Sequence, residues 1–132
     1  MPLLHPICSP HADEEILQTQ EWLELHYMKS VSVEVLAQIA SLGKRTFMRR
    51  FKNATGDSPR QYVQRLRIES AKRMLESTNK TFSEITWQVG YRDVSSFQRL
   101  FKRITDLSPG AYRSKFSLLP EIIYQTISYS PT

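Results

Sequence analysis

The sequence predicts an all-α fold of about seven helices, built as two copies of one unit on either side of a long linker helix. Three observations carry that expectation. Only four of the 132 residues are glycine and no long apolar–polar alternation occurs, so strands find little support. Apolar residues instead recur three and four apart, in segments that open on capping residues. The chain also matches itself when it is displaced by 50 residues.

The elements follow in order. From Asp13 to Lys29, Ile16, Leu23 and Tyr27 share one line, with Leu17 and Met28 beside it. Acidic residues crowd the first turn, where the helix dipole favours them. Ser32 is placed as the N-cap of a short helix through Ala40, with Val33, Leu36 and Ala40 facing inward. Ala40-Ser41-Leu42-Gly43 reads as a tight turn. A second short helix covers Lys44 to Ala54, with Phe47 and Phe51 on its buried side and Gly56 as its C′ residue. Ser58-Pro59 opens a longer helix, to about Ser77, with apolar Tyr62, Leu66, Ala71, Met74 and Leu75. Thr81 and Glu84 have capping-box spacing ahead of a short helix through Val89. Asp93 is an N-cap candidate for a helix from Val94 to Ile104 that turns Phe97 and Phe101 inward, and Ser108-Pro109 starts a last helix through about Phe116. The expected organisation is a flexible N-terminal arm (1–12), a first subdomain (13–57), the linker helix (58–77), a second subdomain (78–116) and a C-terminal tail (117–132). Apolar Ile122, Ile123, Tyr124 and Ile127 in the tail are expected to dock on something.

Displacement by 50 lays Lys44–Tyr62 over Val94–Tyr112 without gaps, and eight of the nineteen positions are identical. They are Phe47/Phe97, Arg49/Arg99, Phe51/Phe101, Lys52/Lys102, Thr55/Thr105, Ser58/Ser108, Pro59/Pro109 and Tyr62/Tyr112. Upstream the better offset is 49, pairing Val33 with Phe82, Leu36 with Ile85 and Ala40 with Val89. A short helix, a tight turn and a second helix form a helix-turn-helix unit, in which the first helix braces the second. The brace leaves the second helix one free side, which suits the major groove of DNA. Here that side offers Arg45, Met48, Arg49 and Lys52 in the first copy, and Val94, Ser95, Gln98, Arg99 and Lys102 in the second. Arginine can hold guanine through two parallel hydrogen bonds. Helical hairpins are common and surface arginines are mostly solvated. Duplication, with a rigid helix as spacer, argues against that plainer reading.

Charge points the same way. Lys and Arg number 18 against 13 Asp and Glu, giving net +5 and a pI near 9.5. Residues 1–40 carry one lysine against six carboxylates, whereas residues 41–75 carry ten cations against two and hold net +8. A polyanionic partner is therefore expected. No apolar run reaches the roughly 20 residues of a membrane span, and no leader pattern opens the chain, so a cytoplasmic protein with no membrane partner is expected. The lone Cys8 excludes an internal disulfide and a cysteine zinc site. His5, His11 and His26 have no metal-ligand spacing, and no phosphate loop, HExxH or serine elbow occurs, so no catalytic residue, metal or cofactor is expected. Trp22 and Trp87 are read as core anchors.

The spaced pattern Ile85, Val89-Gly90-Tyr91, Asp93, Ser95, Phe97, Arg99, Phe101-Lys102, Ser108-Pro109, Tyr112-Arg113 resembles the DNA-binding domain of the AraC/XylS transcriptional regulators. The resemblance covers about residues 16–116. Arg45-Thr46-Phe47, Arg49 to Lys52 and Ala54-Thr55-Gly56 are similar to the subgroup fused to an amidotransferase-like N-terminal domain. The resemblance implies a seven-helix, two-lobed domain that sets both second helices in successive major grooves of double-stranded DNA. By position it implies base reading by Arg45, Met48, Arg49, Ser95, Gln98 and Arg99. Phosphate contacts are expected at Arg50, Lys52, Arg60, Lys102 and Arg103 and at helix starts near Ser32, Ser58, Thr81 and Ser108. An activator is expected, with RNA polymerase and an N-terminal effector or dimerisation domain as further partners. Ser41 stands where the family favours glycine, Gly43 where it favours a capping Ser or Thr, and Thr86 where it favours alanine. The alternative is a truncated helical protein-interaction module or antagonist with only non-specific DNA binding.

Overall fold

The structure, a computed structural model, describes residues 13–119. The N-terminal arm and the apolar tail residues Ile122 to Ile127 lie outside the described residues. Seven helices follow in order: α1 (Glu14–His26), α2 (Val33–Ile39), α3 (Lys44–Thr55), α4 (Pro59–Ser77), α5 (Phe82–Gln88), α6 (Val94–Thr105) and α7 (Pro109–Phe116). The described residues contain no strand. None of these helices is long and apolar enough to cross a membrane. The chain forms two compact units, and the division falls between Arg67 and Ile68, inside α4.

Local chemistry explains where the helices start. Asp13, Ser32, Thr81, Asp93 and Ser108 each sit in extended backbone and accept a hydrogen bond from an amide of the first turn. Thr81 and Glu84 form the full capping box. Gly43, in front of α3, makes no side-chain cap.

The first unit packs α1, α2, α3 and the start of α4 around Ile16, Leu23, Leu36, Phe47, Phe51, Tyr62 and Leu66, all at most 2% exposed. Phe51 meets Phe47 at 5.5 Å and Tyr62 edge-on at 5.3 Å and 87°. The second unit repeats the arrangement: Phe101 meets Tyr112 edge-on at 5.5 Å and 89°. Phe82 stacks on Phe97 at 5.4 Å. Each tyrosine hydroxyl meets a partner from the helix that precedes its unit's helix pair. Gln20 Nε2 donates to Tyr62 Oη at 3.0 Å, and the Tyr112 hydroxyl donates to Glu76. Burial, then the Glu76 carboxylate, pushes the Tyr112 phenol well above its ordinary range. Arg67 donates to the carbonyls of Tyr27 and Lys29 past the end of α1, and Arg113 donates to those of Leu75 and Thr78 at the end of α4. In both cases an arginine satisfies carbonyls that a helix terminus leaves free.

Thr86 is fully buried, and its hydroxyl donates to the Phe82 carbonyl at 2.7 Å, so it packs without an unsatisfied polar group. Three features go beyond the expectations. Ile68 is fully buried. Residues 117–119, expected in the tail, are held instead: the Leu118 amide donates to the Glu76 carbonyl at 2.7 Å. Trp87 is 59% exposed, which corrects its reading as a core anchor. Its seven-residue helix buries Ile85 and Thr86, and the next position turns outward.

The turn between α2 and α3 holds Ser41 at φ +58°, where its counterpart in the second unit is Gly90 at φ +98°. A serine there pays the left-handed crowding of Cβ against the backbone. Ser41→Gly is therefore expected to stabilise the first unit by about 0.5–1 kcal/mol after the extra chain entropy of glycine is subtracted. Thermal denaturation should register a rise of a few degrees. Gly43→Ser should add a few tenths of a kcal/mol, since a serine hydroxyl can cap α3 and nothing lies within 4 Å of the new Cβ.

Candidate nucleic-acid interface

Each unit presents one helix whose two sides differ sharply. In α3, Phe47 and Phe51 are fully buried, while Arg45, Met48, Arg49 and Lys52 are exposed. In α6, Phe97, Leu100 and Phe101 are buried, while Ser95, Gln98, Arg99 and Lys102 are exposed. The exposed sets fall at positions i, i+3, i+4 and i+7, one stripe of an α-helix. Each helix has 12 residues, about 18 Å at about 1.5 Å per residue, enough to lie along a major groove. All six expected base readers thus sit on the two solvent-facing stripes. Arg60 and Arg103 are exposed as well.

The two stripes are not built alike. In the second unit Asp93 caps α6 and also accepts from the Ser96 hydroxyl at 2.9 Å. Arg99 Nη2 in turn donates to Ser96 Oγ at 3.3 Å. The Ser96 hydroxyl and amide hold the Asp93 carboxyl below the ordinary carboxylate range, and Arg99 adds to this. The cap is therefore ionised at neutral pH. In the first unit the corresponding positions are Gly43 and Thr46, and α3 has no side-chain cap. Beside α6 an open hollow of about 480 Å³ is lined by Ser95, Gln98, Arg99, Lys102, Arg103 and Ser108. It joins the reading stripe to the start of α7, where basic side chains and a helix N-terminus together suit a phosphate.

Arg50 differs from the other expected phosphate contacts in having close partners within its unit. Its Nε donates to Asp13 Oδ2 at 3.0 Å, and its Nη2 donates to Asp13 Oδ1 at 2.6 Å and Glu15 Oε1 at 2.7 Å. Those carboxylates raise the guanidinium pKa above its ordinary value. Arg50 is thus engaged by two carboxylates of its own unit. One sequence signal pointed to this: the repeat pairs Arg50 with Leu100, which is 5% exposed. Lys44 likewise pairs with Glu34 at 3.0 Å, and Arg65 with Asp57 at 3.2 Å. By contrast, Arg45, Arg49, Lys52, Lys102 and Arg103 carry no ion pair among the described residues.

Two braced, arginine-bearing helices on aromatic backing define a double helix-turn-helix domain. Residues 36–115 of the 132 match the family described as "Helix-turn-helix domain", and the chain belongs to that family. The chain is 36% identical over 101 residues to the HTH-type transcriptional activator RhaS of Enterobacter sp. (strain 638), covering 76% of this chain and 36% of that protein. It thus spans little more than a third of the length of that curated relative. The DNA-binding domain of AdpA, a global transcriptional factor solved with a target DNA, superposes with a TM-score of 0.72 at 27% identity, covering 89% of this chain and 98% of that one. A transcriptional regulator from Chromobacterium violaceum, described as having an AraC-type DNA-binding domain, superposes with a TM-score of 0.75 at 20% identity, covering 80% and 94%. The fold is that of the AraC-type domain.

Proposed function

We propose that this chain is the sequence-specific DNA-binding part of a transcriptional activator, with α3 and α6 occupying successive major grooves of one promoter site. The observation that carries the reading is the duplicated stripe: Arg45, Met48, Arg49 and Lys52 on α3, and Ser95, Gln98, Arg99 and Lys102 on α6, each exposed opposite a buried phenylalanine pair. Arg49 and Arg99 are the guanine-reading candidates, Gln98 suits adenine, and Met48 offers apolar contact to a thymine methyl. Arg45 and Ser95 extend the reading toward the start of each helix. Lys52, Arg60, Lys102 and Arg103 are assigned to phosphates, which position the protein without reading sequence. A relative named as an activator and a similar domain solved with target DNA support the reading. RNA polymerase, and an effector-sensing or dimerisation domain N-terminal to this one, are its proposed protein partners. Its proposed location is the cytoplasm.

In-vitro selection of duplexes by the purified chain tests the proposal. The expected result is a bipartite motif whose two boxes lie about one helical turn apart. A single box, or no enrichment at all, sinks the two-reader reading. Binding should weaken steeply with salt, because phosphate contacts release counterions. Lys52→Ala and Lys102→Ala should each weaken all duplexes alike and reduce the salt slope by about 1. A loss confined to the selected site would move that lysine from phosphate to base.

A further inference from the structure

We infer that Arg50 is a positioning residue for the first reading helix: with Asp13 and Glu15 it sets the roll of α3 against α1, and so the aim of Arg45, Met48 and Arg49. The inference rests on the DNA-binding reading above. Arg50 grips Asp13 with both Nε and Nη2, at 3.0 and 2.6 Å, and reaches Glu15 at 2.7 Å. This planar fork is a geometry that lysine cannot reproduce. Asp13 is also the N-cap of α1, accepting from the Ile16 amide at 3.4 Å. Ile16 is fully buried in the first core. One carboxylate therefore anchors the start of α1 and holds the middle of α3.

The repeat supports a structural role for this position. Its counterpart Leu100 is 5% exposed, so the second unit buries an apolar side chain where the first ion-pairs an arginine. The consequence for reading is geometric. A roll of about 10° moves a side chain about 6 Å from the helix axis by about 1 Å. Two parallel hydrogen bonds to a base edge do not survive that displacement. Because two carboxylates already match its charge, Arg50 adds little to counterion release.

The pair Asp13→Asn with Glu15→Gln separates positioning from phosphate contact. Asparagine still caps a helix, while both opposing charges vanish and Arg50 loses its two-oxygen carboxylate grip. If Arg50 positions α3, discrimination between the selected duplex and one scrambled in the first unit's box falls about tenfold. Binding to the fully scrambled duplex meanwhile strengthens, because two negative charges have gone. If Arg50 instead serves a phosphate, its release tightens both duplexes equally and leaves discrimination unchanged, which overturns the inference. Arg50→Lys is the second variant: positioning predicts a similar loss of discrimination with an unchanged salt slope, whereas full discrimination in this variant overturns the inference. A wild-type chain that selects no duplex overturns the DNA-binding reading and this inference with it. A wild-type chain that selects a site, with both variants discriminating as well, overturns this inference alone.

Discussion

Phe51→Ala is expected to cost the first unit about 3–5 kcal/mol, the usual loss for a buried phenylalanine that leaves a cavity. Phe51 is fully buried, meets Phe47 at 5.5 Å and supports the ring of Tyr62 at 5.3 Å. Its removal takes away the ring that Tyr62 meets edge-on, beside the Gln20 hydrogen bond to the Tyr62 hydroxyl. Domains have only about 5–15 kcal/mol to lose. Because the two units cluster separately, denaturation of the variant should split into two steps. Trp22 and Trp87 lie one in each unit, so fluorescence and circular dichroism together can tell which unit melts first. Phe101→Ala should produce the converse order, because Phe101 supports Tyr112 at 5.5 Å in the same way. A loss under about 1 kcal/mol for Phe51→Ala would show that the aromatic row does not hold the unit together.

Arg99→Ala should lose about 1–3 kcal/mol of binding to the selected duplex and relax sequence preference in one box only. That is roughly five- to 150-fold in affinity. The same change at Arg49 should act on the other box and be the smaller of the two. Arg99 is held by Ser96, which Asp93 holds in turn, so less freedom is lost when it docks. No such chain of bonds precedes Arg49, where α3 starts at an uncapped glycine. Because the Asp93 carboxyl is held below its ordinary range, its contribution is complete above the unfolded carboxylate pKa and is lost only as pH falls through the lower folded value. Site selection by the second unit should therefore be flat across neutral pH. Unchanged operator affinity in Arg99→Ala would remove the second unit from base reading.

Most of the fold was legible because its signals are local. Ser32, Thr81, Asp93 and Ser108 announce helix starts through side chains that cap amides two or three residues away. Gly56 announces the end of α3 because its φ of +84° suits a residue without Cβ. Asp106 takes the same conformation at φ +65° in the second unit, and only the repeat marks that position. The reading stripes were legible for the same reason: four residues at helical spacing opposite two phenylalanines need no tertiary information.

Contacts that join distant parts of the chain were not legible. Arg50 and Asp13 stand 37 residues apart, and an arginine beside Arg49 looks like another cation of the basic stretch until α1 is placed. Trp87 misled for the opposite reason, since a large apolar side chain on a short amphipathic helix promises burial that this helix does not supply.

The sequence by itself determined seven helices, most of their caps, the duplicated aromatic core and the stripe that faces solvent on α3 and α6. These follow from hydrogen bonding and burial within a few residues along the chain. Tertiary structure alone decided which basic residues stay free. An ion pair depends on where α1, α2 and α3 bring their charges together, and helical periodicity carries no record of that distance.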